Sequence, residues 1–224
     1  MLSNASLSNT SPYVEAETDV YAPAATGKGV LTKRLFDVIF SLLLCLFLLS
    51  WLIPMLGLAI RINSPGPILF VQLRTGRNGR QFRCFKLRTM VSRQESVFRQ
   101  ATKDDPRITK LGQILRKTNL DELPQFLNVL LGDMSIVGPR PHPIPLDAQH
   151  WYTMPNYPER YNVKPGITGL AQVRGCRGET DTLQKMEHRL RLDRWYIAKR
   201  SLALDLNICW WTVIKMVMGD SKAW

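Results

Sequence analysis

Between Val38 and Ile60 run 23 residues without a single charge, dominated by Leu, Ile and Phe. At ~1.5 Å per residue, a helix of that length covers a hydrocarbon layer of ~30 Å. Buried helices of soluble domains are usually shorter and less uniformly apolar, so this run is read as a membrane segment. Lys33 and Arg34 precede it, and Arg61, Arg74, Arg77, Arg80 and Arg83 follow it. Basic residues gather on the cytoplasmic side of membrane segments, which places both ends of the run on that side. A straight span does not meet that condition. Pro54 lies inside the run, where it removes one backbone donor and obstructs the preceding turn. A re-entrant helix-break-helix over residues 31–62, with the break at Pro54, is therefore expected.

Residues 1–30 are rich in Ser, Thr, Asn and Ala and have no apolar periodicity, which predicts a disordered tail. They lack the ordered regions of a signal peptide. Residues 63–224 are expected to form one cytoplasmic, membrane-associated domain. The net charge of +12 calls for an anionic partner. From residue 61 to 120 there are fourteen Lys/Arg against three Asp/Glu, so the excess sits beside the anchor, where anionic headgroups or phosphorylated ligands would meet it. Nothing resembles an RNA-binding motif, and aromatic residues are not interleaved with these cations as stacking platforms require, so nucleic acid is not an expected partner. Cys45, Cys84, Cys176 and Cys209 are scattered, without the spacing of a zinc site or a disulfide framework. His142, His150 and His188 lie far apart and receive no catalytic role.

Asn63-Ser64-Pro65-Gly66-Pro67 is a turn cluster, and Ile68 to Val71 followed by the turn at Gly76 to Gly79 and the run Gln81 to Leu87 predicts a small hairpin. Thr118 to Leu131 reads as one helix, capped by Asn119 or Asp121, with Pro124 in its first turn and Gly132 just past its end. Gly138-Pro139-Arg140-Pro141-His142-Pro143 cannot be helical and is expected as a rigid extended loop. Lys164 to Gly169 is a second loop. Leu183 to Tyr196 predicts a charged helix. Leu204 to Met218 predicts an apolar one with Asp205, Thr212 and Lys215 on one face. Its adjacent Trp210 and Trp211 suit the headgroup zone, a core helix being the alternative. The fold class is α+β, predominantly helical.

A domain held on a bilayer meets lipid substrates, and phosphate chemistry needs carboxylate oxygens together with positive charge. Asp121 and Glu122 are adjacent carboxylates at an expected helix N-terminus. Without context they would be a helix cap and a surface acid. Arg116 and Lys117 lie one turn upstream, Lys86 and Arg88 fall on the second strand, and Arg140 is fixed between two prolines with little conformational freedom left to lose.

Lys33-Arg34-Leu35-Phe36-Asp37, Ser64-Pro65-Gly66-Pro67, Phe85-Lys86-Leu87-Arg88-Thr89-Met90, Asp105-Pro106-Arg107-Ile108-Thr109, Leu120-Asp121-Glu122-Leu123-Pro124-Gln125, Gly138-Pro139-Arg140-Pro141 and Lys164-Pro165-Gly166-Ile167-Thr168-Gly169, taken together and in this order, closely resemble the bacterial sugar transferases, the monotopic phosphoglycosyl transferases that begin exopolysaccharide assembly. The resemblance covers residues 32 to 220. It implies an enzyme of the inner membrane, with its catalytic domain on the cytoplasmic face, that moves a sugar-1-phosphate from a UDP-sugar to undecaprenyl phosphate and releases UMP. It further implies that Asp121 attacks the β-phosphate to form an aspartyl-phosphosugar intermediate. Glu122 would hold Mg²⁺, and Lys86, Arg88, Arg116 and Arg140 would bind the phosphates. Many relatives have Ser directly before the bend proline. Here that site is Ile53, and Ser50 lies a turn earlier.

Arg177 to Leu183 resembles the loop of members using UDP-glucose, with UDP-galactose the next expectation. Larger relatives carry further transmembrane helices and a regulatory domain, so this sequence is expected to be the compact form, with a homo-oligomer open. The competing readings are a non-catalytic membrane-tethered module that binds polyanions, and a structural partner of an export complex.

Overall fold

A computed structural model describes residues 27–91, 100–102, 104–176, 178 and 182–218. The expected tail, apart from its last residues, lies outside that set, as does most of the Arg177 to Leu183 loop. The chain opens with helix α1 (Gly27–Leu44), which continues through a π-turn (Cys45–Leu49) into α2 (Ser50–Asn63). In the π-turn, Ser50 N–H bonds to Cys45 C=O, five residues back. That skip would strand the Leu46 carbonyl, and the Ser50 hydroxyl donates to it at 2.7 Å. The irregularity therefore lies one turn before Pro54, and Ser50 satisfies the backbone there although Ile53 precedes the proline.

Both halves of this apolar helix end on the same domain. Within α1, Lys33 pairs with buried Asp205 at 2.5 Å, Arg34 donates to the carbonyls of Val129 and Leu130, and the Asp37 carboxylate accepts from Ile136 N–H at 3.1 Å. The charged residues of the Lys-Arg-Leu-Phe-Asp segment are thus a clasp. Within α2, Ile53, Leu56 and Ile60 pack with Leu87, Leu115 and Ile68. Between these contacts Leu42, Leu43, Leu46, Phe47 and Trp51 stand exposed.

The domain follows with strands β1 (Leu69–Thr75) and β2 (Gln81–Leu87), helices α3 (Lys110–Lys117) and α4 (Gln125–Leu131), strand β3 (Ser135–Val137), helix α5 (Ile144–His150), strand β4 (Gly166–Thr168), and helices α6 (Leu170–Val173), α7 (Leu183–Lys199) and α8 (Leu202–Met218). The expected hairpin is present as an antiparallel ribbon, with Leu69 opposite Leu87 and Thr75 opposite Gln81. A short parallel pair, β3 with β4, departs from expectation: β4 takes half of the Lys164 to Gly169 segment, all of which reads as loop in the sequence. Gly138 and Gly166 permit this pairing: a Cβ on Gly166 would lie 2.1 Å from Gly138 N.

The main core joins Phe82 and Cys84 of the ribbon to Val129, Met134, Ile136, Val137, Tyr196 and Ile208. Helix α8 is turned inside out relative to a soluble helix. Its Asp205 faces Lys33 and its Thr212 bonds Thr168 at 2.7 Å, whereas Trp210 is 65% and Val217 82% exposed. Helix α8 therefore has two sides, one packed on the main core through Leu204, Ile208 and Cys209 and one apolar and exposed.

Candidate active site

Asp121 and Glu122 do not begin a long helix. They occupy a 3-10 turn, Leu120–Glu122, set between α3 and α4. Asn119 takes a left-handed conformation (φ 56), and no side chain caps the turn. The expectation that Asn119 or Asp121 caps a helix from Thr118 is corrected. A left-handed residue cannot continue a helix, so Asn119 closes α3 and reverses the chain, and the Asp121 carboxylate is released from capping.

The two carboxylates then have different surroundings. Glu122 accepts from Lys86 Nζ at 2.6 Å and from both ends of the Arg140 guanidinium, at 2.5 and 3.1 Å. Burial would raise its pKa, but Arg140 and Lys86 outweigh that and hold the carboxyl well below the usual range. Asp121 is 8% exposed, and no ion pair or hydrogen bond to its carboxylate is found among the described residues. Burial pushes it up to about 6, against the pull of Lys86. Glu122 is therefore a saturated anion, and Asp121 beside it is a desolvated one.

Arg140 is presented by a loop whose carbonyls are all occupied. Gly166 N–H donates to Pro139 C=O at 2.9 Å, Arg160 Nη2 to Arg140 C=O at 2.9 Å, Arg74 Nη1 to Pro141 C=O at 2.5 Å, and Thr75 N–H to His142 C=O at 3.4 Å. Four consecutive carbonyls, on a chain already stiffened by prolines, are thus met by four separate donors. The expectation of a rigid extended loop is borne out, and the rigidity serves a bidentate guanidinium that needs a fixed orientation.

Behind the loop lies a buried network that sequence reading missed. Arg160 pairs with Asp193 at 2.9 Å and donates to His142 Nδ1 at 2.5 Å. Tyr157 and Tyr161 donate to Asp147 Oδ1, and Tyr157 OH lies 2.7 Å from the His142 ring. Burial first, then Arg160, keeps His142 neutral, so its part is structural. Spacing gave no signal, because Arg160 and Asp193 are 33 residues apart.

Arg116 is also near the carboxylates. Burial lowers its pKa while Asp121 opposes that, and its Nε donates to Thr89 Oγ1 at 2.9 Å. The Asp105 to Thr109 segment sets this helix in place: Arg107 pairs with Asp105 at 2.5 Å, and the Thr109 hydroxyl caps α3 by accepting from Gly112 N–H at 2.9 Å. Arg88 is different. Its two guanidinium ends donate to the carbonyls of Ser64 and Pro65, each at 2.6 Å, and the side chain is buried. The structure brings Lys86, Arg116 and Arg140 to the Asp121-Glu122 turn, whereas the Arg88 guanidinium ties the end of β2 to the turn after α2 and is not part of this cluster. Strand alternation would put residue 88 on the same face as Lys86 and Cys84, but Arg88 lies one residue past the end of β2, where the Ser64 and Pro65 carbonyls hold its guanidinium. Pro54, the expected membrane break, sits within α2 and away from these groups.

The sequence profile described as "Bacterial sugar transferase" matches residues 28–219. The chain is 46% identical over 88% of its length to the UDP-glucose:undecaprenyl-phosphate glucose-1-phosphate transferase of Escherichia coli (strain K12), and it spans 42% of that relative. It is 46% identical over 85% of its length to the protein of the same name from Caulobacter vibrioides, spanning 72% of it. It is 44% identical over 81% of its length to the exopolysaccharide production protein PSS of Rhizobium leguminosarum bv. phaseoli, spanning 93% of it. With a family profile covering nearly all the described residues, the chain belongs to the bacterial sugar transferase family.

Proposed function

We propose that this protein transfers glucose-1-phosphate from UDP-glucose to undecaprenyl phosphate, releasing UMP, as the first membrane step of exopolysaccharide synthesis. The observation that carries the reading is the contrast at residues 121 and 122: a desolvated Asp121 carboxylate with no partner of its own, beside three cations gathered around it. A largely buried carboxylate left without a partner of its own is suited to act as a nucleophile, and cations nearby suit a charged phosphate. An Asp121 oxygen bonds to the β-phosphorus, the bond from that phosphorus to the bridging oxygen breaks, and UMP departs with the electron pair. A phosphate oxygen of the acceptor then bonds to the same phosphorus and displaces Asp121. Glucose as the sugar is supported by the E. coli and Caulobacter relatives, which are named UDP-glucose:undecaprenyl-phosphate glucose-1-phosphate transferases.

Magnesium takes hard oxygen ligands, using one or two carboxylates with substrate phosphates. Asp121 and Glu122 supply that donor chemistry, and among the described residues no group of three acidic, His or Cys side chains offers a fuller cage. Glu122 would hold the ion, which would offset charge on the diphosphate. In the ligand-free protein, Lys86 and Arg140 occupy the Glu122 oxygens. They would pass to the phosphate oxygens when the donor arrives.

The membrane segment is read as re-entrant, with the catalytic domain on the cytoplasmic face of the inner membrane. Support comes from the basic residues at both flanks and from the attachment of both halves to one domain. The exposed apolar face of α8 would rest on the same leaflet.

The test is UMP release from UDP-glucose by purified protein in lipid nanodiscs. Release is expected only with polyprenyl phosphate and Mg²⁺ both present. UDP-galactose and N-acetylated donors are expected to be slower. Acceptor-independent hydrolysis alone, or none with any donor, would overturn the reading.

A further inference from the structure

The β-ribbon carries an aromatic side chain to which the chemistry above gives no task. Arg88 N–H donates to Ile68 C=O at 2.9 Å, which makes those two residues a hydrogen-bonded pair of the ladder. Two positions along, Phe70 and Lys86 are directly opposite and form the next such pair, with Cα atoms ~5.5 Å apart and side chains on one face. Along that face Cys84 and Phe82 are buried in the core and Lys86 reaches Glu122. Phe70, at the open end, is 47% exposed.

The chain before Phe70 leads straight to the anchor. Ile68 packs so closely on α2 that a Cβ on Gly57 would lie 3.0 Å from it, and Ile62, in the last turn of α2, is 79% exposed. An apolar ring therefore stands between the end of the membrane helix and the ammonium group of the active-site cluster. A ligand that fits both must offer a phosphate to Lys86 and hydrocarbon to Phe70. On the face of the ribbon that carries Phe70, its neighbour toward the anchor is the apolar Ile68, and its cross-strand partner is Lys86.

We propose that Phe70 seats the first isoprene units of the polyprenyl phosphate acceptor, with the acceptor's phosphate drawn to Lys86. The proposal rests on the transferase reading above. Ile62, Leu69 and Phe70 are each exposed and apolar on the stretch of chain that joins the anchor to the site, which suits a ligand that arrives from the bilayer.

The test measures initial rates of wild type, Phe70→Ala and Phe70→Leu in nanodiscs, varying polyprenyl phosphate at saturating UDP-glucose and then the reverse. Phe70→Ala is expected to raise the acceptor KM about tenfold, the scale of one lost apolar contact, and to leave the donor KM unchanged. Phe70→Leu, which keeps most of the apolar bulk, is expected to recover most of the loss. Farnesyl phosphate should show the same ratio as undecaprenyl phosphate, since only the first units touch the ring. A rise in donor KM instead would make Phe70 a platform for the nucleoside, and no change in either KM would leave it without a role; both overturn the proposal. Should Phe70→Ala fail to give a cooperative thermal transition, Phe70→Gln, polar but similar in length, carries the same comparison. Absence of turnover in the wild type would instead strike the transferase reading itself.

Discussion

Replacing Asp121 by Asn should inactivate the protein and make it more stable. In the folded chain, burial raises the Asp121 carboxyl from 3.8 to about 6. At about 1.4 kcal/mol per tenfold change, keeping it ionised costs roughly 3 kcal/mol of folding free energy at most. Asn puts a polar amide in the same desolvated place, so about half of that, ~1.5 kcal/mol, is expected as net gain. For a domain of this size that is a rise of about 3–6 °C in Tm. Because the folded pKa is the raised one, the wild type loses stability as pH rises from 3.8 through about 6, and the gain from Asn is full at pH 8. It should shrink nearly to zero by pH 5, where most of the folded wild-type carboxyl is already protonated and the ionisation cost has fallen to about that of the buried amide. Thermal unfolding of detergent-purified wild type and Asp121→Asn at the two pH values reads this directly. UMP release from the variant should fall by about three orders of magnitude or more, as loss of a nucleophile requires. A variant less stable than wild type at pH 8 would refute the desolvated-carboxylate account, and one with full turnover would refute the covalent route.

Arg88→Met should cost about 2–4 kcal/mol of stability, because two charge-assisted bonds to the Ser64 and Pro65 carbonyls are lost; donor KM measured on the folded fraction should stay at the wild-type value, and a large rise would return Arg88 to the phosphate site. In a chain whose four cysteines have been replaced, Val30→Cys and Pro65→Cys should both react with a membrane-impermeant maleimide from the cytoplasmic side alone. Labelling of position 30 from the periplasm would establish a span and overturn the re-entrant reading.

How much of this was legible before the structure depends on the range of the interactions involved. The apolar run and the hairpin depend on periodicities within a few residues, and both appear where composition placed them. The boundary of the catalytic turn does not. A helix from Thr118 to Leu131 satisfied local propensity, and only the left-handed Asn119 splits it into α3, a 3-10 turn and α4. Lys86 and Arg88 share a face of the expected strand, but β2 ends at Leu87 and the Ser64 and Pro65 carbonyls, distant in sequence, take the Arg88 guanidinium. The Arg160, Asp193, His142 and Asp147 network had no local signal at all. Its members come from four segments, and each by itself looked like a surface charge or an unassigned histidine. The rigidity of the Pro139 to Pro143 loop was foreseen from its prolines, but not the four donors that fix its direction.

The clasp of Lys33, Arg34 and Asp37 at one end of the apolar helix, and the packing of Ile60 with the Arg88 tie at the other, have a consequence for the kind of bilayer this protein tolerates. A spanning helix must match the full thickness of the membrane, and mismatch sorts such proteins among membranes. On the re-entrant reading proposed above, a segment moored at both ends to one domain answers only to the leaflet it enters. Its depth is then set by the protein, and so is the height of Asp121 above the acyl chains. The tail of the proposed polyprenyl acceptor can then fold freely among the acyl chains; only its phosphate has to arrive at that height.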